Sequence, residues 1–253
     1  MMRNFDAVIF DMDGVITKTA VVHSLSWKKM FDEYLHFRDK KYNEPFREFS
    51  HTNDYLPYVD GRPRYKGVEA FLLSRGIHIP FGTSDDETTK ETVCGLGNRK
   101  NECLNAVIQE DGVEVYESSI QLINELLSQN IKVGVATSSK NCMTILEKAG
   151  ITHLFETRVD GIVSAELGLK GKPEPDIFTT AADNLGATYS RSVVIEDAVS
   201  GVQAGHKGHF GLTLGVAREK NVQELKSNGA DLVVEDLSEI SIKDIDDWFA
   251  TKK

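Results

Sequence analysis

More than a hundred residues separate the first apolar run of this chain, FDAVIF at 5–10, from the next run of the same kind, IKVGVA at 131–136. Each run is short, rich in strand formers and ended by polar residues, as a strand buried on both faces is. The same grammar recurs at 192–195, 211–216 and 231–234, with stretches of helical length at 118–129, 143–149, 176–185 and 200–207. Strands alternating with helices imply a Rossmann-like α/β core, an open parallel sheet covered on both faces. One crossover in such a sheet does not need a hundred residues, so a folded unit must be inserted after the first strand. Trp27, Phe31 and Tyr34 recur there at helical spacing, as do Leu104, Val107 and Ile108. Between them, residues 39–66 are polar, aromatic and charged, and residues 83–90 form a polar, acidic run that reads as exposed loop. The expected organisation is a helical cap domain, 19–109, interrupting an α/β catalytic core of 1–18 plus 110–253.

Composition narrows the partners. With 253 residues, 40% of them hydrophobic, the chain can bury a sizeable core. A formal charge of −10, with no basic block or basic helix, argues against nucleic acid or an anionic membrane as a partner. Cys94, Cys103 and Cys142 form no CxxC pair, so neither a disulfide framework nor a zinc site is suggested. The first residues carry no basic segment followed by a cleavable apolar stretch, and no run approaches the ~20 apolar residues that span a bilayer. A cytoplasmic monomer is expected.

In an open α/β sheet, ligands bind beyond the carboxyl ends of the strands. Asp11 and Asp13 follow the first strand there, Thr137, Ser138 and Ser139 the second, and Glu196 and Asp197 the strand at 192–195, while Lys172 lies in the loop 168–175. Two carboxylates ~4 Å apart repel by roughly 4 kcal/mol at an effective dielectric of 20, so this gathering calls for a cation. Oxygen ligands without His or Cys favour magnesium over zinc, which puts Asp11, Asp13, Glu196 and Asp197 forward as metal ligands. Asp11 can then act as a nucleophile that forms an aspartyl-phosphate, and Asp13 as general acid and base. Lys172 and Thr137, with the amides that follow it, can hold the phosphoryl oxygens.

The segments DMDGVIT (11–17), VATSS (135–139), GKPEPDIF (171–178) and VVIEDAVSGVQAG (193–205) resemble, in order, the four motifs of the haloacid dehalogenase superfamily. Within it the likeness is to the β-phosphoglucomutase family. That resemblance implies a mutase converting β-glucose 1-phosphate to glucose 6-phosphate through a sugar bisphosphate, and therefore two phosphate sites. His23 and Trp27 stand at the spacings of the family's first cap helix, Lys100 matches the cap lysine that reaches the distal phosphate, and Ser139, Lys140 and Asn141 resemble a segment that helps hold it. Lys18 stands where the family usually has an acidic residue, and either Arg62 or Arg64 could supply a cap arginine. A phosphatase with the same site, or a sugar-phosphate binding protein without catalysis, are the alternatives. Read without the resemblance, Ser138 and Ser139 could simply cap a helix, His23 and Trp27 could be packing, and Lys100 could be solvated surface.

Overall fold

The computed structural model describes residues 3–252. Among them six strands form one sheet, every pair parallel: β1 (Ala7–Phe10), β2 (Lys132–Ala136), β3 (Thr157–Val159), β4 (Ser192–Glu196), β5 (Leu212–Val216) and β6 (Leu232–Val234). Their order is β3-β2-β1-β4-β5-β6. This is the doubly wound order in which the winding reverses between β1 and β4, and a crevice opens at such a reversal beyond the strand ends. β1, β4 and β5 are buried along their whole length, which is why their sequences read as continuous apolar runs rather than alternating ones. β3 lies at one edge of the sheet and has only three residues, TRV, too few for an apolar run to mark it beforehand.

The chain divides into two compact units, Met1–Lys18 with Val113–Lys253, and Thr19–Gly112. The first holds the sheet. Alternate residues of β1, Ala7 and Ile9, share a core with Ile177, Phe178 and Ala181 of α8 (Asp176–Asn184) and with Ala204 of α9 (Val199–Lys207). α5 (Glu117–Ser128) packs on β2 and on α11 (Ile242–Thr251), and three shorter helices complete the unit: α6 (Cys142–Lys148), α7 (Gly161–Glu166) and α10 (Val222–Ser227). The outgoing and returning segments lie side by side within this unit. Lys18 N donates to Glu114 O and Tyr116 N to Ile16 O, each at 2.9 Å, and the Lys18 ammonium meets the Glu114 carboxylate at 2.9 Å.

The second unit is helical: α1 (Thr19–Tyr42), a π-helical turn at His51–Tyr55 continued by α2 (Leu56–Tyr58), α3 (Arg64–Ser74) and α4 (Val93–Asp111). Its core is aromatic, with Phe31 of α1 against Phe49 and Phe71 at ring-centroid distances of 5.0 and 4.1 Å. α4 runs to Asp111 and is closed by Gly112 at φ 78°, so this unit ends three residues beyond 109. The acidic run at 83–90 is not exposed throughout. Asp86 is buried, taking hydrogen bonds from Thr83 N, Thr92 Oγ1 and Lys90 Nζ. No helix of the described residues is long and apolar enough to cross a membrane.

Candidate active site

Each acidic residue of the core site is placed by a strand that has just ended. Asp11 follows β1, and its amide donates to Ile195 O of the neighbouring β4 at 2.9 Å. Glu196 is the last residue of β4 and Asp197 the next. Oxygens of Asp11, Glu196 and Asp197 lie within 4.8 Å of one another. Asp13 was grouped with them by sequence, but its carboxylate stands outside this cluster. In the turn after β1 it bridges to Thr17, with Gly14 N donating to Thr17 O at 2.8 Å and Thr17 N to Met12 O at 2.9 Å.

Two glycines make room for the acids. A Cβ on Gly14, whose φ is +86°, would lie 1.8 Å from Asp197 Oδ2. One on Gly201, in the first turn of α9, would lie 1.9 Å from Glu196 Oε1, so only glycine lets α9 pass over that carboxylate. Glu196 also accepts the Ala198 amide at 2.5 Å, which fixes its orientation.

Lys172 reaches into this cluster from the loop before α8. Its ammonium donates to Asp11 Oδ1 at 2.5 Å and to Glu196 Oε1, and all three side chains are buried. Burial works to neutralise Lys172, yet the carboxylates of Asp11 and Glu196 outweigh it and hold the ammonium above the ordinary lysine value. One cation among three acids leaves negative charge in excess. The Asp11 carboxyl is pushed well above the usual range, first by burial and then by the charges of Glu196 and Asp13, which the Lys172 ammonium opposes without cancelling. The donor set fits a hard divalent ion: three carboxylate oxygens, no sulfur or imidazole, and a spread close to the ~3–4 Å between oxygens that share a magnesium at about 2.1 Å.

Thr137, the residue after β2, is buried, and its Oγ1 accepts the Ser139 amide at 3.1 Å. Ser139 Oγ in turn accepts the Asn141 amide at 3.2 Å, a bond within the loop, and α6 begins after Asn141 without a side-chain cap. Ser138, Lys140 and Asn141 are half-buried on the same loop. Gly161 presses the start of α7 against it: its amide donates to Ser139 O at 3.0 Å, and a Cβ there would lie 2.6 Å from Ser138 O.

The helical unit gathers the other residues that sequence put forward. Lys100 of α4 is buried, with Nζ 3.0 Å from His23 Nδ1 and 5.0 Å from the centroid of the Trp27 ring, both on α1. Burial, and then the charges of Lys100 and Arg64, hold the His23 imidazole well below its ordinary value of 6.5. A neutral ring accepting from the Lys100 ammonium at Nδ1 carries its proton on Nε2. Arg62 and Arg64 differ in their packing. Arg64 Nη2 donates to Asn101 Oδ1 at 2.7 Å, on the same helix as Lys100, whereas Arg62 is hydrogen-bonded to Pro57 O at 3.4 Å. Gly97 permits this approach, since a Cβ there would lie 2.7 Å from the Tyr65 ring and 3.3 Å from Arg64 Cδ. Lys100 is thus a buried member of a cationic group and not solvated surface.

A family model, haloacid dehalogenase-like hydrolase, matches residues 5–209. A β-phosphoglucomutase of Mycobacterium bovis is 42% identical over 237 residues, covering 92% of this chain and 90% of that protein. A β-phosphoglucomutase of Bacillus subtilis is 33% identical, covering 94% and 92%. Among solved structures, a β-phosphoglucomutase from Clostridium difficile superposes with a TM-score of 0.76 over 98% of both chains at 24% identity, a likeness of fold. The chain belongs to the haloacid dehalogenase-like hydrolase family, in its β-phosphoglucomutase-like group. It is an enzyme, a phosphomutase or a phosphatase.

Proposed function

We propose that this enzyme is a magnesium-dependent phosphotransferase that converts β-glucose 1-phosphate to glucose 6-phosphate through an aspartyl-phosphate on Asp11. The observation that carries the reading is the buried group of Asp11, Glu196 and Lys172 with Asp197 beside it. Such a group, once a divalent cation offsets its excess of carboxylates, offers a nucleophile and positive charge to a phosphoryl group.

Asp11, Glu196 and Asp197 would hold the ion, which supplies positive charge against the phosphate oxygens when bound. The Asp11 carboxylate attacks phosphorus while the bond to the sugar oxygen breaks, and Asp13 gives that oxygen its proton. In the second half, Asp13 takes the proton of the incoming hydroxyl, which attacks phosphorus and frees Asp11. Lys172 and the Thr137 hydroxyl hold the non-bridging oxygens, where the transition state spreads its charge.

A mutase must also grip its bisphosphate by the other end. By this reading Lys100 and Arg64 take that phosphate or the ring beside it, with His23 and Trp27 shaping the place, and Ser138, Ser139, Lys140 and Asn141 contribute donors from the core loop. Arg64 joins the group on the strength of its bond to Asn101. The family's hydrolase membership favours one second reading, a sugar-phosphate phosphatase in which water takes the phosphoryl group.

The two readings separate in one assay. The protein receives magnesium, β-glucose 1-phosphate and a trace of glucose 1,6-bisphosphate, and glucose 6-phosphate and free phosphate are followed together. Glucose 6-phosphate without phosphate release is the expected result. Phosphate release alone would replace the mutase by the phosphatase.

A further inference from the structure

Arg218 follows β5 by two residues, at the same edge of the sheet as the acids. Its guanidinium ties together three segments distant in sequence. Nε donates to Gly14 O at 3.0 Å, in the loop after β1. Nη1 donates to Glu235 O at 3.2 Å and to Asp236 Oδ2 at 3.0 Å, just past β6. Its flat face lies on Tyr116, with Cζ 3.6 Å from the ring centroid, at the entrance to α5. The side chain is 15% exposed. Asp236 is itself held, accepting from Ser118 Oγ at 2.9 Å and from Ser238, and Tyr116 N reaches Ile16 O.

Several bonds of the catalytic loop are internal. Ile16 N and Thr17 N both donate to Met12 O at 2.9 Å, and Gly14 N to Thr17 O. Internal bonds fix the shape of a loop and leave its aim to whatever grips it from outside. Arg218 grips it at Gly14, the residue after Asp13, where a Cβ would already collide with Asp197. A planar fork stacked on a ring holds a carbonyl in one direction, which a lysine's single ammonium cannot do.

We propose that Arg218 is a positioning residue: by fixing Gly14 it sets the aim of Asp13 toward the leaving oxygen. This rests on the reading of Asp13 as general acid, and a general acid acts only within hydrogen-bond reach of the proton's destination. Misplacement by ~1 Å can cost on the order of 100-fold in rate.

Two measurements on Arg218→Ala and Arg218→Lys test it. Hydrogen exchange of the Gly14, Ile16 and Thr17 amides needs no substrate, and should quicken at least ~10-fold in Arg218→Ala, with 1.4 kcal/mol of lost protection per factor of ten. Turnover with magnesium is then measured across a series of aryl and alkyl phosphates. Loss of the acid's aim should lower kcat most for the poorest leaving groups, by 10- to 100-fold, and least for p-nitrophenyl phosphate, with KM changed far less. Asp13→Ala should show the same steepening, and Arg218→Lys should fall between wild type and Arg218→Ala. If Arg218→Ala does not fold, Tyr116→Leu, which removes the stacking face, should give a weaker form of both effects.

Unchanged exchange, or a loss of kcat uniform across leaving groups, would overturn the proposal. Should the wild type turn over none of these esters, the exchange result alone decides whether Arg218 holds the loop, and the phosphotransferase reading stands or falls separately on the glucose 6-phosphate assay.

Discussion

Each unit buries a charged group, and the two are opposite in kind. In the sheet unit, Lys172 is outnumbered by Asp11, Glu196 and Asp197. In the helical unit, Lys100 and Arg64 flank a neutral His23 and the Trp27 ring. Burying a charge is costly without compensation, and a chain tolerates that where a ligand completes the account. An acid-rich group asks for a cation and a cation-rich group for an anion. Under the proposed function, a metal-assisted enzyme for a doubly phosphorylated sugar would use both.

The sharpest way to break this contrast is at the acid-rich end. Asp11→Asn keeps the size of the side chain and removes the nucleophile. Turnover should fall on the order of 10⁴-fold or more, and no acid-stable, hydroxylamine-labile phosphoenzyme should form when the protein is mixed with a phosphate donor. Retention of full turnover would remove Asp11 from the chemistry.

Lys172→Met comes next. It should lower turnover by on the order of 10³-fold and destabilise the fold by ~3–5 kcal/mol, because two buried carboxylates lose their shared partner. Magnesium should return part of that stability. A ligand at 100 times its dissociation constant adds ~2.7 kcal/mol, and the variant's extra negative charge should make its urea midpoint rise more with magnesium than the wild type's. Equal shifts in both would mean that the ion does not sit against Asp11 and Glu196.

The two groups were not equally legible in the sequence. Asp11, Glu196 and Asp197 are marked by strand ends, since FDAVIF and SVVI each stop at an acid and topology carries both to the winding reversal. Chain position does not say which carboxylates converge, so sequence groups Asp13 with the ligands although it is absent from the three that lie within 4.8 Å of one another. Lys100 was harder to read because a lysine on a helix is usually solvated. What buries it is the approach of α3, permitted by Gly97 and held by Arg64 to Asn101 and Tyr65 to Asn98, and α3 itself begins within the polar, aromatic and charged stretch 39–66, which carries no helical signal. Arg218 follows an apolar run without any motif, so its four partners, Gly14, Tyr116, Glu235 and Asp236, emerge only from the fold. The same holds for Asp86, where an acid in an acidic run is buried by three donors that the spacing does not announce.

Lys100→Met sharpens the contrast from the other side. The chemistry of the sheet unit should persist toward small esters such as p-nitrophenyl phosphate, while KM for a sugar bisphosphate should rise roughly 10- to 100-fold, the weight of about 1.5–3 kcal/mol for a hydrogen bond to a charged group. Arg64→Met should act in the same direction, and Arg62→Met should not. An unchanged KM in both Lys100→Met and Arg64→Met would leave the helical group without its anion.

The smallest effect expected is one of pH on stability, and it belongs to His23. Its folded value lies well below 6.5 because burial and then Lys100 and Arg64 resist a further positive charge. As pH falls through 6.5, the unfolded chain takes up a proton that the folded chain refuses, so this residue's contribution to stability declines from 6.5 downward until the folded pKa is reached. Urea midpoints of the wild type and His23→Gln, compared between pH 7.5 and 5, should therefore converge or cross as the pH drops, the variant lacking that part of the slope. A phosphate-bearing ligand should reduce the slope further in the wild type alone, since an anion beside Lys100 and Arg64 removes the repulsion that keeps His23 neutral. Parallel midpoints with and without ligand would separate His23 from the anion and leave it a packing residue of α1.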